Sequence, residues 1–133
     1  MSRHGYIDDM DDNLALGRYR GRVQSAIRGK RGQKLLRELR DALDAMPEKR
    51  LIREALVDSD GGCCALGCVG RARGVEMDNL DPEDADQVAA AFDIAEVLAR
   101  EIAFENDDCY YDTTPEARWS YMRKWVERNI RDA

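Results

Sequence analysis

Apolar positions recur at helical spacing along almost the whole chain. Leu16, Tyr19, Val23, Ala26 and Ile27 share one face of a first helix. Gly17, Gly21, Ser25 and Gly29 recur every four residues on the same segment and form a smooth stripe of small residues. An interior glycine costs about 1 kcal/mol against alanine, so the stripe predicts close approach by another backbone or by a ligand. Gly29 suits a left-handed helix end, with a second helix starting near Gly32. Leu35, Leu36, Leu39, Leu43 and Met46 give that second helix a continuous apolar face. Pro47 stops it or opens a third, shorter helix carrying Leu51, Ile52, Ala55 and Leu56. "DSDGG" (58–62) reads as a turn. The apolar run in "CCALGCVGRARG" fits a short strand near 62–66 or a buried helix. The reading taken is a helix from about Ala65 to Ala72, closed by Gly74.

The second half is more clearly punctuated. Asp81 as cap and Pro82 in the first turn open a helix whose buried side is Val88, Ala89 and Phe92. Asp93 and Glu96 have the spacing of a capping box for the next helix, with Phe92 and Val97 as its hydrophobic staple. Leu98, Ile102 and Phe104 continue that face, and "ENDDCYYDTTPE" is the longest irregular connection. Thr114-Pro115-Glu116 starts a last helix bearing Trp119, Met122, Val126 and Ile130. The pattern predicts an all-α, single-domain bundle of five to seven short helices over residues 13–133. An acidic N-terminus, residues 1–12, is expected to be mobile.

Composition narrows the class. The chain has 133 residues, which is one domain's worth of core. Hydrophobic residues at 44% with charged residues at 36% mark a globular chain with a heavily charged surface, not a disordered one. No apolar run approaches membrane-spanning length, and the first twelve residues lack a signal-type apolar region. The expectation is a soluble, cytoplasmic protein with no membrane partner. Cys63, Cys64 and Cys68 crowd into six residues, with Cys109 far away. That spacing suits reduced thiols in a cytosolic core better than a disulfide framework or a paired-knuckle zinc site. No metal and no cofactor is expected.

The net charge of −6 hides a division. Residues 18–40 hold nine Lys/Arg and one acid, while the other 110 residues hold 12 bases and 26 acids. The cations Arg18, Arg20, Arg22, Arg28, Lys30, Arg31, Lys34, Arg37 and Arg40 are therefore the candidate partner- or anion-binding residues. Lys30, Arg31 and Lys34 crowd the expected start of the second helix, where positive charge opposes the macrodipole. A helix start with free N–H groups and several cations has the ingredients of an anion site. Residues 83–105 form a helix-turn-helix, but its second helix carries Glu96, Glu101 and Glu105 against Arg100, the wrong sign for a phosphate groove. An ordinary helical hairpin is expected there. The acid-rich runs "DDMDD" (8–12) and "NDDCYYD" (106–112) lack calcium-loop spacing. Asn106 and Asp107 are expected to end a helix and shape the loop after it. With one histidine, His4, no phosphate-binding glycine loop and no nucleophile elbow, nothing points to an enzyme.

"SAIRGKRGQ" (25–33), "ALDAMPEKRLI" (42–52), "CALGCVGRARG" (64–74), "LAREIAFEND" (98–107) and "TPEARW" (114–119) together resemble a group of small proteins found in phages and prophages. The pair "CALG … ND" is also similar to a broader bacterial and phage domain family of unknown function. The resemblance implies Gly where this chain has Asp93, and fewer cysteines than the Cys63, Cys64, Cys68 cluster. It implies a context rather than an activity: an accessory protein, in the host cytoplasm, that binds host machinery such as a defence or nucleic-acid-handling complex. Two functions follow. One is a protein-binding, anti-defence module whose acidic faces mimic nucleic acid. The other is direct nucleic-acid binding through residues 18–40.

Overall fold

The computed structural model describes residues 3–5, 13–108 and 114–131. Among them are six helices and no strand: α1 (Asn13–Arg28), α2 (Lys30–Ala45), α3 (Ala65–Arg73), α4 (Ala85–Phe92), α5 (Glu96–Asp107) and α6 (Pro115–Asn129). The expected all-α bundle is the one observed. α2 and α5 form its axis: α1, α3 and α6 each pack on both, and α4 packs on α5. The apolar stripe of α2 explains its place, since Leu35, Leu36, Leu39 and Leu43 are all fully buried. Leu98 and Ile102 of α5, Phe92 at the end of α4, and Met122 and Val126 of α6 meet the same core. Burying each such side chain is worth about 1.5–3 kcal/mol.

Several helix ends follow the sequence and several do not. Gly74 closes α3 at φ 74°, and Thr114 caps α6 by accepting a bond from the Ala117 N–H at 3.0 Å, with Pro115 in the first turn. Gly29 is a correction. It is extended, at φ −68° and ψ 165°, and serves as the cap residue of α2, which begins at Lys30 rather than near Gly32. α4 starts at Ala85 with Asp84 as its cap, so Asp81 and Pro82 belong to the preceding turn. Asp93 does not cap α5; it ends α4 in the left-handed conformation, φ 57°, and the residue before α5 is Ala95. Glu96, freed from a capping box, pairs with Arg100 one turn on.

The small-residue stripe is also corrected. A Cβ at Gly17 or Gly21 would meet no neighbour among the described residues, and Ser25 and Gly29 are exposed. Close approach happens elsewhere. At Gly32 a Cβ would collide with the Ala26 carbonyl at the end of α1, and at Gly67 with the Leu56 carbonyl. These two glycines let α2 turn back on α1, and α3 lie on the preceding segment.

The expected third helix, over Leu51, Ile52, Ala55 and Leu56, is absent. Residues 47–57 run without helical structure. Lys49 Nζ caps the end of α2 instead, donating to the carbonyls of Asp44 and Met46 at 2.6 Å each. Leu51 and Leu56 are buried, while their backbone groups bond to other parts of the chain: the Leu51 N–H to Pro115 O, and Leu56 O to the Cys64 N–H, both at 3.0 Å. Where a strand near 62–66 was the alternative, there is one isolated antiparallel bridge, Val57 to Cys63. The 58–62 turn is built as expected, with Asp58 Oδ1 accepting the N–H groups of Asp60 and Gly62 at 3.0 and 2.7 Å.

Candidate functional site

The structure does not bring the nine candidate cations into one cleft. Arg20 reaches the buried carboxylate of Glu101 at 3.3 Å, Arg31 meets Asp93 at 3.2 Å, and Arg40 pairs with its neighbour Asp41 at 3.1 Å. Arg18 and Arg22 project from the exposed side of α1. Arg28, Lys30, Lys34 and Arg37 converge. They line one cleft of about 540 Å³ with Gln33, Glu38, Asp41 and Arg131. Lys30, Lys34 and Arg37 stand at i, i+4 and i+7, the spacing that aligns side chains along one ridge of a helix.

Gln33 builds the floor of this cleft. Its side chain is buried and donates to Ile27 O at 2.7 Å and to Asn129 O at 3.0 Å, while its oxygen accepts the Arg131 N–H at 2.7 Å. One amide therefore ties the end of α1 and the end of α6 to the first turn of α2. Arg37 donates to Arg131 O at 2.6 Å and closes the far side. Of the two acids in the lining, Glu38 is engaged by Arg73 of α3, whose Nε lies 3.1 Å from it. That hydrogen bond holds the Glu38 carboxyl below its usual range. Arg28, Lys30 and Lys34 have no ion pair among the described residues. Arg28 sits in the last turn of α1, where positive charge is favourable. Lys30 and Arg31 occupy the first turn of α2, which has no acid and no side-chain cap.

A second polar constellation was missed in the sequence. Arg3 and His4, within the segment expected to be mobile, have buried side chains, and Gly5 is exposed; residues 6–12, including "DDMDD", lie outside the described residues. Arg3 grips Asp107 with two bonds, Nε to Oδ2 at 2.6 Å and Nη2 to Oδ1 at 2.9 Å. Its third nitrogen faces Ala55 O and Cys64 Sγ, both at 3.4 Å. Asp107 also accepts the Glu54 N–H at 3.1 Å and the Asn106 amide at 2.8 Å. Asn106 accepts the Ala65 N–H at 3.1 Å and donates to Ile52 O at 2.9 Å. Arg118 of α6 donates to Leu51 O at 2.9 Å. His4 pairs with Asp108, which also takes Arg53 at 2.9 Å.

The "CALG" and "ND" segments thus meet in space as a clasp. Asn106 supplies the acceptor for the first N–H of α3, Cys64 Sγ accepts the Gly67 N–H, and Asp107 holds the irregular 52–55 segment. Asn106 and Asp107 end α5 as expected and also bond to distant backbone; residues 109–113 of the loop after them lie outside the described residues. Burial alone pushes the Asp107 carboxyl up, but the Arg3 guanidinium, Asn106 and the Glu54 N–H outweigh it, so its pKa lies below the ordinary value. Burial likewise works against the Arg3 charge, and Cys64 and Asp107 more than offset it. The only sequence signal for this clasp was the paired motif itself.

α5 is buried around most of its circumference, including Glu101 and Glu105, whose carboxylate accepts the Tyr121 hydroxyl. It is a central packing helix with no free face for a DNA groove. Glu76, Asp78, Asp81, Glu83 and Asp84 between α3 and α4, with Asp86 in the first turn of α4, are exposed and form a run of acids on the surface. Among the described residues no helix is long and apolar enough to cross a membrane. Cys63, Cys64 and Cys68 are buried free thiols, and Cys109 lies outside the described residues. No family model matches the chain, and no curated protein or solved structure matches it.

Proposed function

We propose that the protein is a non-enzymatic docking module of the phage accessory kind, which binds and modulates a host protein complex through the α1–α2 cleft. The observation that carries this reading is the convergence of Arg28, Lys30, Lys34 and Arg37 on one cleft, in a chain of net charge −6. Like charges held together repel, and an anionic partner surface relieves the repulsion. The exposed acids from Glu76 to Asp86 give the molecule a second face of opposite sign. That face suits a basic groove of the kind that otherwise holds nucleic acid.

Direct nucleic-acid binding is the second reading, and the i, i+4, i+7 ridge of Lys30, Lys34 and Arg37 favours it. Such a ridge extends about 10 Å along a helix, enough to follow a phosphate backbone. Fluorescence anisotropy with labelled single- and double-stranded DNA and RNA, at low and physiological salt, separates the two. No binding at low salt, with recovery of a host protein that the Lys30→Glu/Lys34→Glu variant fails to recover, supports the docking reading. Binding that falls steeply with salt and is lost in that variant establishes the nucleic-acid reading. If the variant behaves as the parent in both assays, the cleft is not the site.

A further inference from the structure

The start of α3 brings two thiols together on a cleft. Cys64 is the cap of this helix, so Cys63 precedes the cap and Cys68 is the fourth helical residue. Those are the two positions that pack across a helix start as a hydrophobic staple. Here they meet in a small cluster with Ala42 of α2, apart from the main core. The neighbouring Cys68 thiol, and then the charge of Arg71, draw the Cys63 thiol below its ordinary value, while Cys63 and burial hold the Cys68 thiol above its own. Both residues line a cleft of about 410 Å³ walled by Met46 and Pro47, with Arg50 and Arg71 also in its lining. A cavity of that size admits solutes well beyond a single water. Cys64 faces the other way, toward Arg3 and the Gly67 N–H. Three clustered cysteines therefore divide into one structural cap and one pair on a cavity.

We infer that Cys63 and Cys68 form a dithiol that hydrogen peroxide, or a small organic hydroperoxide, converts into an intramolecular disulfide, which makes this cleft an oxidation site. The Cys63 thiolate attacks one peroxide oxygen; the O–O bond breaks, and Cys63 becomes a sulfenic acid as hydroxide leaves and takes up a proton. The Cys68 sulfur then attacks the Cys63 sulfur, its proton leaving with the departing oxygen as water. Two thiols are oxidised, one peroxide is reduced, and two waters are formed. A thiol reductant reverses the change by exchange.

The test uses the full chain, reduced and freed of reductant, then exposed to a small molar excess of hydrogen peroxide. Denaturation, alkylation with iodoacetamide and trypsin release Cys63, Cys64 and Cys68 in one peptide, Glu54 to Arg71. The expected peptide is lighter by two hydrogens, carries the alkyl group on Cys64 alone, and returns to triple alkylation after dithiothreitol. A Cys68→Ser chain should instead trap dimedone at Cys63, because the sulfenic acid has no partner thiol. Triple alkylation after peroxide overturns the proposal, as does a disulfide that includes Cys64 or a Cys63 that stops at the sulfinic acid. Peroxide treatment in urea should erase the preference for the Cys63–Cys68 pair. The same preference in urea would trace it to chain proximity and overturn a role for the cleft.

Discussion

Glu54 stands at φ 68° with its side chain in solvent, because its N–H must reach Asp107 while Leu51 and Leu56 on either side enter the core. A residue with a Cβ pays about 1–2 kcal/mol for the left-handed region. Glu54→Gly keeps the N–H and removes that strain, so urea unfolding should show a gain of about 1 kcal/mol. Asp93→Gly, at φ 57°, should gain less, since Asp tolerates this conformation and the exposed pair with Arg31 is worth little. Asp107 behaves in the opposite way. Asp107→Asn preserves the shape but strands the buried Arg3 charge, and should cost about 3–5 kcal/mol. Adding Arg3→Met should recover part of that loss in a double-mutant cycle. The Asp107 carboxyl has its pKa lowered by folding, so its stabilisation is complete above the unfolded value of about 4 and is lost as pH falls through the lower folded value. Acid unfolding followed by circular dichroism should show that limb, and Asp107→Asn should flatten it.

Packing between helices turns on where a glycine has a neighbour. Gly32 and Gly67 each lie against a carbonyl, of Ala26 and Leu56 respectively, so alanine at either forces α2 from α1 or α3 from the 51–57 segment. Overpacking of this kind costs about 1–3 kcal/mol or more. A Cβ at Gly21 has no neighbour among the described residues, and Gly21→Ala should stabilise α1 by about 0.5–1 kcal/mol. Opposite shifts in thermal midpoint for Gly32→Ala and Gly21→Ala check both statements. The four-residue spacing alone made Gly17, Gly21, Ser25 and Gly29 look like a seam. Contact depends on which face a neighbour covers, and nothing in that stripe records this. Helix interiors were legible because their apolar stripes meet the core. Helix starts were harder, because Asp81, Asp84 and Asp93 are all competent caps and tertiary packing selects among them.

At the scale of the whole molecule, two regions gather charge of one sign: the cations of the α1–α2 cleft and the exposed acids of 76–86. If the cleft binds double-stranded nucleic acid through Arg28, Lys30, Lys34 and Arg37, log K against log salt should have a slope of about −3.6. Each single reversal should reduce that slope by about one. Arg31→Ala serves as the contrast and should change neither affinity nor slope, since Arg31 is paired with Asp93 outside the cleft. Reading residues 18–40 as one basic segment placed Arg31 beside Lys30 in function. A helix turns each successive side chain by roughly 100°, so these neighbours face different surroundings.

The sequence by itself determined the all-α class, the interiors of its helices, the 58–62 turn, the closure of α3 at Gly74 and the opening of α6 at Thr114 and Pro115. Each depends on local periodicity or on backbone chemistry within a few residues. Only the tertiary structure decided that four of the nine cations share a cleft, and that 51–57 is not a helix. It also decided that Arg3 and Asp107, 104 residues apart, form one buried pair. The cations share a cleft because helix rotation and packing set which of them face one another; for the 51–57 segment and the buried pair the reason is burial. A polar group exposed in a short segment meets its demand in water, whereas a buried one must find its partner wherever the fold brings one.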